Sequence, residues 1–538
     1  MRLDRLSSSS AEVSTFRWEL PSTFNFATDV VDDWAARRPD LDALVWLGTD
    51  GTEQRHTYRD IARSTGALAA QFAVRGIAAG DRVIVMLPRI PAWQQSMVAL
   101  LRIGAVPIPC ITMLTAHDLA YRIEHSGATA VVTDAANGSK FAGIADGLLR
   151  FSADTTPGFE TLQPDGVLEV PAATVAIDDP AILYYTSGST GMPKGVLHTA
   201  SSLYSWRGSA EHWLSLDEGD VMWCTADTGW SKAGTSILFG PWSRGATVVF
   251  HDGPFLPHRR FEILEQQRVV CFCAAATELR RLVQEFDASA DLSHLALTVS
   301  AGEALDPDTV VRWGELAGCV VLDGYGQTET LMTVTNAAGM TVKPGSMGRP
   351  LPGIDVAVFD TDGVVHLGAG HGELLIGADN PQLMAGYYHE SDRTERCFLR
   401  DPDGLRWFRT GDLVDVDADG YISYAGRTDD IINSSGYRIG PQEVENALMT
   451  HPAVLEAAVV GLPDAARGEI VTAMVILTPD GRASAELDRA GLVASLQEHT
   501  RNYTAPYKYP RDIRFVDELP KTATGKIRRV ALRDDPPS

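Results

Sequence analysis

The sequence predicts an α/β protein, with a large N-terminal domain of layered α/β subdomains followed by a small α+β C-terminal domain. Three observations carry that reading. Over the first four-fifths, short β-branched runs alternate with segments of helical apolar spacing. After about residue 428 this rhythm gives way to a helix, two strand-like runs and a second helical stretch. At 538 residues the chain also exceeds what one hydrophobic core accommodates, so two or more domains are expected.

Taken in order, "DRVIVMLP" (81–88) is a short β-branched strand. "AWQQSMVALLRIG" (92–104) has helical spacing and ends in glycine, and "AVPIPC" (105–110) is extended again. "GATAVVTD" (127–134), "GATVVF" (245–250) and "ALTVSAGE" (296–303) are further strands, several opening after glycine. Strands separated by helices imply largely parallel sheets, whose ligands collect at loops beyond the strand ends. "YYTSGSTGMPKGVLHT" (184–199) leaves the apolar run Ala181–Ile182–Leu183 and is expected at such a place. "AGRTDDIINSSGYRIG" (425–440) is polar and Gly-flanked, suited to a hinge. Beyond it, "GPQEVENALMTH" (440–451) sets Pro441 at a helix N1 position, with Val444, Ala447 and Leu448 on one face. "AVLEAAVVG" (453–461) and "EIVTAMVIL" (469–477) are strands, and a helix is expected around 485–500.

Composition removes several function classes. A formal charge of −24 argues against nucleic acid or anionic membrane as the main partner. No apolar run approaches a bilayer span. The opening "MRLDRLSSSSAEVSTF" has no apolar h-region, and Asp4 and Glu12 count against a transit peptide. The six cysteines lie mostly in apolar surroundings such as "VVCFCAA", as reduced thiols used as small hydrophobes. A cytoplasmic protein, monomer or homodimer, is expected.

The run 184–199 combines three glycines with a series of Ser and Thr hydroxyls and one lysine. Glycines let backbone N–H groups approach a ligand, hydroxyls donate hydrogen bonds and lysine adds a point charge, which together suit a polyphosphate. Lys194 is preceded by Pro193 and followed by Gly195, so this is not a Walker A loop. Three more stretches follow: "LDGYGQTET" (322–330), "WFRTGDL" (407–413), and "GRTDDIINSSGYRIGPQEVE" (426–445) with "LPKTATGKIRR" (519–529). Any one of them could be a solvated loop. All four in this order are not a coincidence.

In that order they resemble the adenylate-forming superfamily of acyl-CoA synthetases, adenylation domains and luciferases, over about residues 30–535. "DDIINSSGYRIGPQEVENAL", "TAPYKYPR", "LPKTATGKIRR" and Asp227–Trp230 are most similar to its medium-chain acyl-CoA synthetase branch. The resemblance implies an adenylation domain at 1–428 and a mobile C-terminal domain at 429–538. It implies ATP, Mg²⁺ and coenzyme A, a carboxylic acid substrate, and a two-step reaction. The carboxylate attacks the α-phosphate to give acyl-AMP and pyrophosphate, and the CoA thiol then displaces AMP.

The resemblance also implies roles, residue by residue. Thr186, Ser187, Gly188, Ser189, Thr190, Gly191, Met192, Pro193 and Lys194 would hold the β- and γ-phosphates. Gly302, Glu303 and Ala304, with Asp323, Gly324, Tyr325, Gly326, Gln327 and Thr328, would form the adenine slot. Tyr325 would stack on the base, although taken alone it reads equally as a core aromatic. Glu329 and Thr186 would serve Mg²⁺ and catalysis, a hard cation preferring oxygen. Asp412 would bind the ribose hydroxyls, with Arg427 beside it and Arg438 on phosphate. Lys526 would bring an ammonium to the carboxylate and α-phosphate, easing their Coulomb repulsion. By sequence alone Lys526 belongs to an exposed basic cluster with Arg528 and Arg529, and the family match reverses that preference.

For the second step, rotation about Asp429 would replace the Lys526 loop by Ser435, Gly436 and Tyr437, lining the pantetheine channel. Arg467, Arg501, Tyr509, Pro510 and Arg511 would meet the CoA nucleotide. Trp230, Thr330 and Leu331 are the acyl-pocket candidates. The family often carries Ala-Pro-Thr before the next helix, whereas this chain has Ala275-Ala276-Thr277. The function expected is an acyl-CoA ligase acting on medium-chain fatty or aromatic acids. The competing readings are an adenylation protein serving a carrier-protein thiol, a luciferase-like monooxygenase, and a silent nucleotide-binding regulator.

Overall fold

A computed structural model describes residues 16–536 except 145–146, 169, 187–191, 304, 429, 431, 435–436, 465–466, 505–507 and 523–526. At 433, 437 and 438 it describes the backbone alone. Candidates Ser187, Gly188, Ser189, Thr190, Gly191, Ala304, Asp429, Ser435, Gly436 and Lys526 lie outside the described residues, as do the side chains of Tyr437 and Arg438.

Two compact units divide the chain: Met1–Asp355 with Gly377–Phe398, and Val356–Ile376 with Leu399–Ser538. The first holds a nine-stranded sheet whose inner strands run parallel: Asp42–Leu47, Thr247–His251, Val221–Cys224, Cys271–Cys273, Leu297–Ala301 and Val320–Gln327. Thr247–His251, Cys271–Cys273 and Leu297–Ala301 are buried at every position. Burial of that kind is expected where helices cover both faces of a parallel sheet, and it extends to the polar residues Thr247, His251, Thr298 and Ser300. A second sheet, built around Arg82–Val85, Val106–Pro109 and Ala130–Thr133, is parallel throughout. Its helix Ala116–Ser126 shows how local sequence sets the boundaries. Thr115 and Asp118 close a capping box at the start, and Gly127 ends the helix at φ +62°.

The hydroxyl-rich loop departs from expectation. It does not leave a parallel sheet but joins two antiparallel strands, Pro180–Thr186 and Lys194–Thr199, with Gly386–Tyr387 pairing on the far side. The reason is chain length: residues 187–193 are too few for a parallel crossover, which needs a dozen or more.

In the second unit, Arg406–Val416 and Ile422–Arg427 form an antiparallel pair. The C-terminal segment folds as expected into helix Pro441–Met449, the hairpin Val454–Asp464 and Gly468–Leu477, and helix Pro479–Tyr503, with Asp512–Phe515 added in parallel. Pro441 stands in the first turn of its helix and Val444, Ala447 and Leu448 are buried. Among the described residues, no helix is long and apolar enough to cross a membrane.

Candidate active site

In the first unit the hairpin fixes both ends of the loop, since Thr186 and Lys194 are register partners. Tyr121 donates its hydroxyl hydrogen to the Pro193 carbonyl (3.0 Å) and anchors the loop's C-terminal side. Met192 is exposed. The Lys194 ammonium lies 4.9 Å from the ring centroid of Tyr387. The Tyr387 hydroxyl in turn donates to Glu329 Oε1 at 2.9 Å. Lys194 and Glu329, far apart in the chain, are thus joined through one phenol.

Glu329 sits on the turn that follows strand Val320–Gln327. The turn is held from three sides. Its own Gln327 N–H donates to Thr330 Oγ1 (3.1 Å), and Met384 N–H donates to the Glu329 carbonyl (2.7 Å). His198 Nε2 lies 2.7 Å from the Thr328 carbonyl. A carbonyl only accepts, so Nε2 carries the proton and Nδ1 is left to accept from Ser202 Oγ at 3.1 Å. Burial holds this imidazole down near a pKa of about 4, so it stays neutral. Thr330 and Leu331 are buried, and Leu331 has φ +53°, a left-handed conformation that is costly for a leucine.

On the strand before the turn, Asp323 and Tyr325 are buried. Burial raises the Asp323 carboxyl well above the usual range, against the opposing effect of the Gly324 N–H, which donates to Oδ1 at 2.9 Å. A Cβ on Gly324 would meet Met332 and Trp213, and one on Gly326 would lie 1.9 Å from the Leu331 carbonyl oxygen. Both glycines are thus required by packing of the chain itself. Gly302 takes φ +90° at the end of strand Leu297–Ala301, where Lys232 Nζ donates to the Ala301 carbonyl (3.0 Å).

Glu303 accepts the Thr277 N–H at 3.3 Å and so satisfies one of the orphan donors of helix Ala276–Gln284, whose cap residue Ala275 has no side-chain acceptor. The helix forms at this place with Ala276 in its first turn. Trp230 packs against the cluster that contains Ile111, Leu114 and Leu183, and among the described residues its indole N–H has no hydrogen-bond partner.

The second unit holds the other candidates. Asp412, 5 % exposed, is the register partner of Arg427, whose Nη1 donates to Oδ1 at 3.1 Å. Within the strand Arg406–Val416 the backbone just before Asp412 is fixed by Glu373, which accepts the Gly411 N–H through Oε1 (2.9 Å) and Arg409 through Oε2 (2.6 and 3.0 Å). Arg501 and Arg511 gather around Tyr509, with guanidinium carbons 3.9 and 4.7 Å from its ring centroid. The Pro510 carbonyl accepts from Gln497 (3.1 Å), and Arg467 N–H donates to Asp464 (2.9 Å).

Sequence reasoning missed Tyr121, His198, Glu373 and Tyr387. Each acts through a partner remote in sequence, and nothing local marks a tyrosine in "AGYYHE" or a histidine in "VLHT".

Among the described residues, no group of three or more His, Cys, Asp or Glu could hold a metal ion. An ion held largely by substrate phosphates needs only one or two protein oxygens. Glu329 fits that demand, because among the described residues its Oε2 accepts no hydrogen bond.

A lysine at the end of one strand and a carboxylate on the turn after another, joined through one phenol, make an arrangement that can hold anionic groups together with a cation. Residues 31–388 match the AMP-binding enzyme family and residues 443–526 match the AMP-binding enzyme C-terminal domain. The chain belongs to the AMP-binding enzyme family. It is 38 % identical to the mitochondrial acyl-coenzyme A synthetase ACSM3 of Homo sapiens, over 96 % of this chain and 90 % of that protein. It resembles the solved benzoate CoA ligase of Burkholderia xenovorans LB400 with a TM-score of 0.82 and 30 % identity, covering 95 % of this chain and 100 % of that one. The anthranilate CoA ligase AuaEII, solved with anthranoyl-AMP, gives a TM-score of 0.86 and 27 % identity, covering 97 % and 98 %.

Proposed function

We propose that the chain is an ATP-dependent acyl-CoA ligase that converts a medium-chain fatty or aromatic carboxylic acid to its CoA thioester through acyl-AMP, releasing AMP and pyrophosphate. The observation that carries this reading is the Lys194–Tyr387–Glu329 arrangement at the closed end of the 186–194 hairpin, in a chain that matches acyl-CoA synthetases almost end to end. The solved anthranilate CoA ligase holds anthranoyl-AMP, an intermediate of the proposed kind.

In the first step a carboxylate oxygen attacks the α-phosphorus and pyrophosphate leaves. Thr186 to Lys194 hold the β- and γ-phosphates, and Lys194 offsets their charge. Gly302 to Ala304 and Asp323 to Thr328 receive adenine. Asp412 accepts from the ribose hydroxyls, steered by Arg427 and, through the Gly411 backbone, by Glu373. Arg438 meets phosphate. Lys526 offsets the repulsion between carboxylate and phosphate. Mg²⁺ arriving with ATP would neutralise charge on the departing pyrophosphate, with Glu329 and Thr186 as its protein oxygens.

In the second step the CoA sulfur attacks the acyl carbonyl and AMP leaves. Ser435, Gly436 and Tyr437 line the thiol's path after rotation about Asp429, the boundary between domains at 1–428 and 429–538. Arg501, Tyr509, Pro510 and Arg511, with Arg467, serve the CoA nucleotide. Trp230, Thr330 and Leu331 bound the acyl group. A reducing compartment, the cytoplasm in this reading, suits six cysteines that are all free thiols. With a medium-chain fatty acid, the product belongs to fatty acid metabolism.

The test is a panel of straight-chain, branched and aromatic acids assayed with ATP and CoA, scoring AMP and thioester together. The reading expects equal amounts of both, for medium-chain or aromatic members. AMP formed without thioester would overturn it in favour of a different acceptor thiol.

A further inference from the structure

We propose that Tyr387 is a positioning residue that keeps the Lys194 ammonium and the Glu329 carboxylate close together yet unpaired, so that both stay available to ATP phosphates and their cation. This rests on the roles proposed above for those two residues.

Opposite charges brought close together gain Coulomb energy by pairing, and a paired lysine offers less to a phosphate. Among the described residues neither Lys194 nor Glu329 forms an ion pair. Tyr387 engages both. Its ring receives the ammonium at 4.9 Å, within the range of a cation–π contact. Its hydroxyl satisfies Oε1 of the carboxylate at 2.9 Å, and among the described residues nothing donates to Oε2.

The phenol is itself well fixed. Tyr387 is 7 % exposed, pairs in register with Val196 two residues beyond Lys194, and donates its N–H to Thr394 Oγ1 at 2.9 Å. The same segment grips the Glu329 backbone through Met384 N–H. Arg393 lies 5.8 Å from the Tyr387 ring, a second cation at that ring. Burial and the Glu329 charge keep the hydroxyl protonated, as a donor must be.

The two halves of the device separate by mutation. Tyr387→Phe keeps the ring and removes the hydroxyl. Calorimetric binding of ATP without Mg²⁺ should then match wild type, while the Mg²⁺ concentration needed for half-maximal tightening should rise about tenfold, the effect of losing one hydrogen bond to a charged group. Tyr387→Leu removes both contacts and should weaken metal-free ATP binding as well, by a further several-fold. Thioester formation from supplied acyl-AMP, which carries no β- or γ-phosphate, should stay within about twofold in Tyr387→Phe. A merely structural tyrosine would leave the Mg²⁺ response unmoved.

Glu329→Gln is the control. If it shifts the Mg²⁺ response and Tyr387→Phe does not, the positioning role is overturned and the Glu329 reading stands. If neither shifts it, both are overturned.

Discussion

Gly326 shows how a single residue serves the site by what it lacks. A methyl group there would press within 1.9 Å of the Leu331 carbonyl oxygen, and that oxygen belongs to backbone already held at φ +53°. Neither side can yield without moving the turn that carries Thr328 and Glu329. Gly326→Ala is therefore expected to reduce acid-dependent pyrophosphate exchange on the order of a hundredfold, the scale of a misplacement near 1 Å. The chain should remain folded, with destabilisation of about 1–3 kcal/mol in urea titrations. Unchanged exchange would mean that the turn does not position reacting groups. The stretch "GYGQTET" marked this place in the sequence, but the reason for the glycine did not show there. It depends on a strand reversal that brings Leu331 back against Gly326. Tyr387 was illegible for the same reason, since both of its partners are remote in the chain.

Among the elements, the strands and helices were legible where period and boundary signals agreed. Pro441–Met449 and the hairpin Val454–Asp464 with Gly468–Leu477 fall where the apolar spacing put them. The sheet receiving the hydroxyl-rich loop did not, because pairing partners are not written into apolar runs. The hairpin strand Lys194–Thr199 carries His198 into the interior, where it donates to the Thr328 carbonyl.

That buried imidazole has a consequence for pH. Unfolded, it takes up a proton near 6.5; folded, only near about 4. Between those values the unfolded state binds more protons, so this residue's contribution is full above pH 6.5 and is lost as pH falls toward 4, by roughly 3 kcal/mol in all. His198→Gln keeps a donor for Thr328 but cannot titrate. Its urea midpoint should fall less steeply than wild type across that window, and parallel profiles would contradict the assignment.

At the scale of the whole molecule, the sequence announced a two-step enzyme through four separated stretches. In the first unit the described members of two of them, Thr186 to Lys194 and Asp323 to Glu329, are tied to one network through Tyr387, Met384 and His198. Asp412 and Arg427 come together in the second unit, as do Arg501, Tyr509 and Arg511. The acid specificity was not legible: in the reading proposed above it rests on pocket shape among apolar residues such as Trp230, and apolar pockets discriminate weakly, by size.

The central claim is that a carboxylate is activated as its adenylate, and this has a direct isotopic signature. A carboxylic acid from the panel, labelled with ¹⁸O in both carboxyl oxygens, is turned over with ATP and CoA, and the AMP is analysed by mass spectrometry. If the carboxylate oxygen attacks the α-phosphorus and the thiol then displaces AMP at the acyl carbon, each AMP formed carries one ¹⁸O. Label found in pyrophosphate or inorganic phosphate, or AMP without label, would contradict an acyl-AMP route.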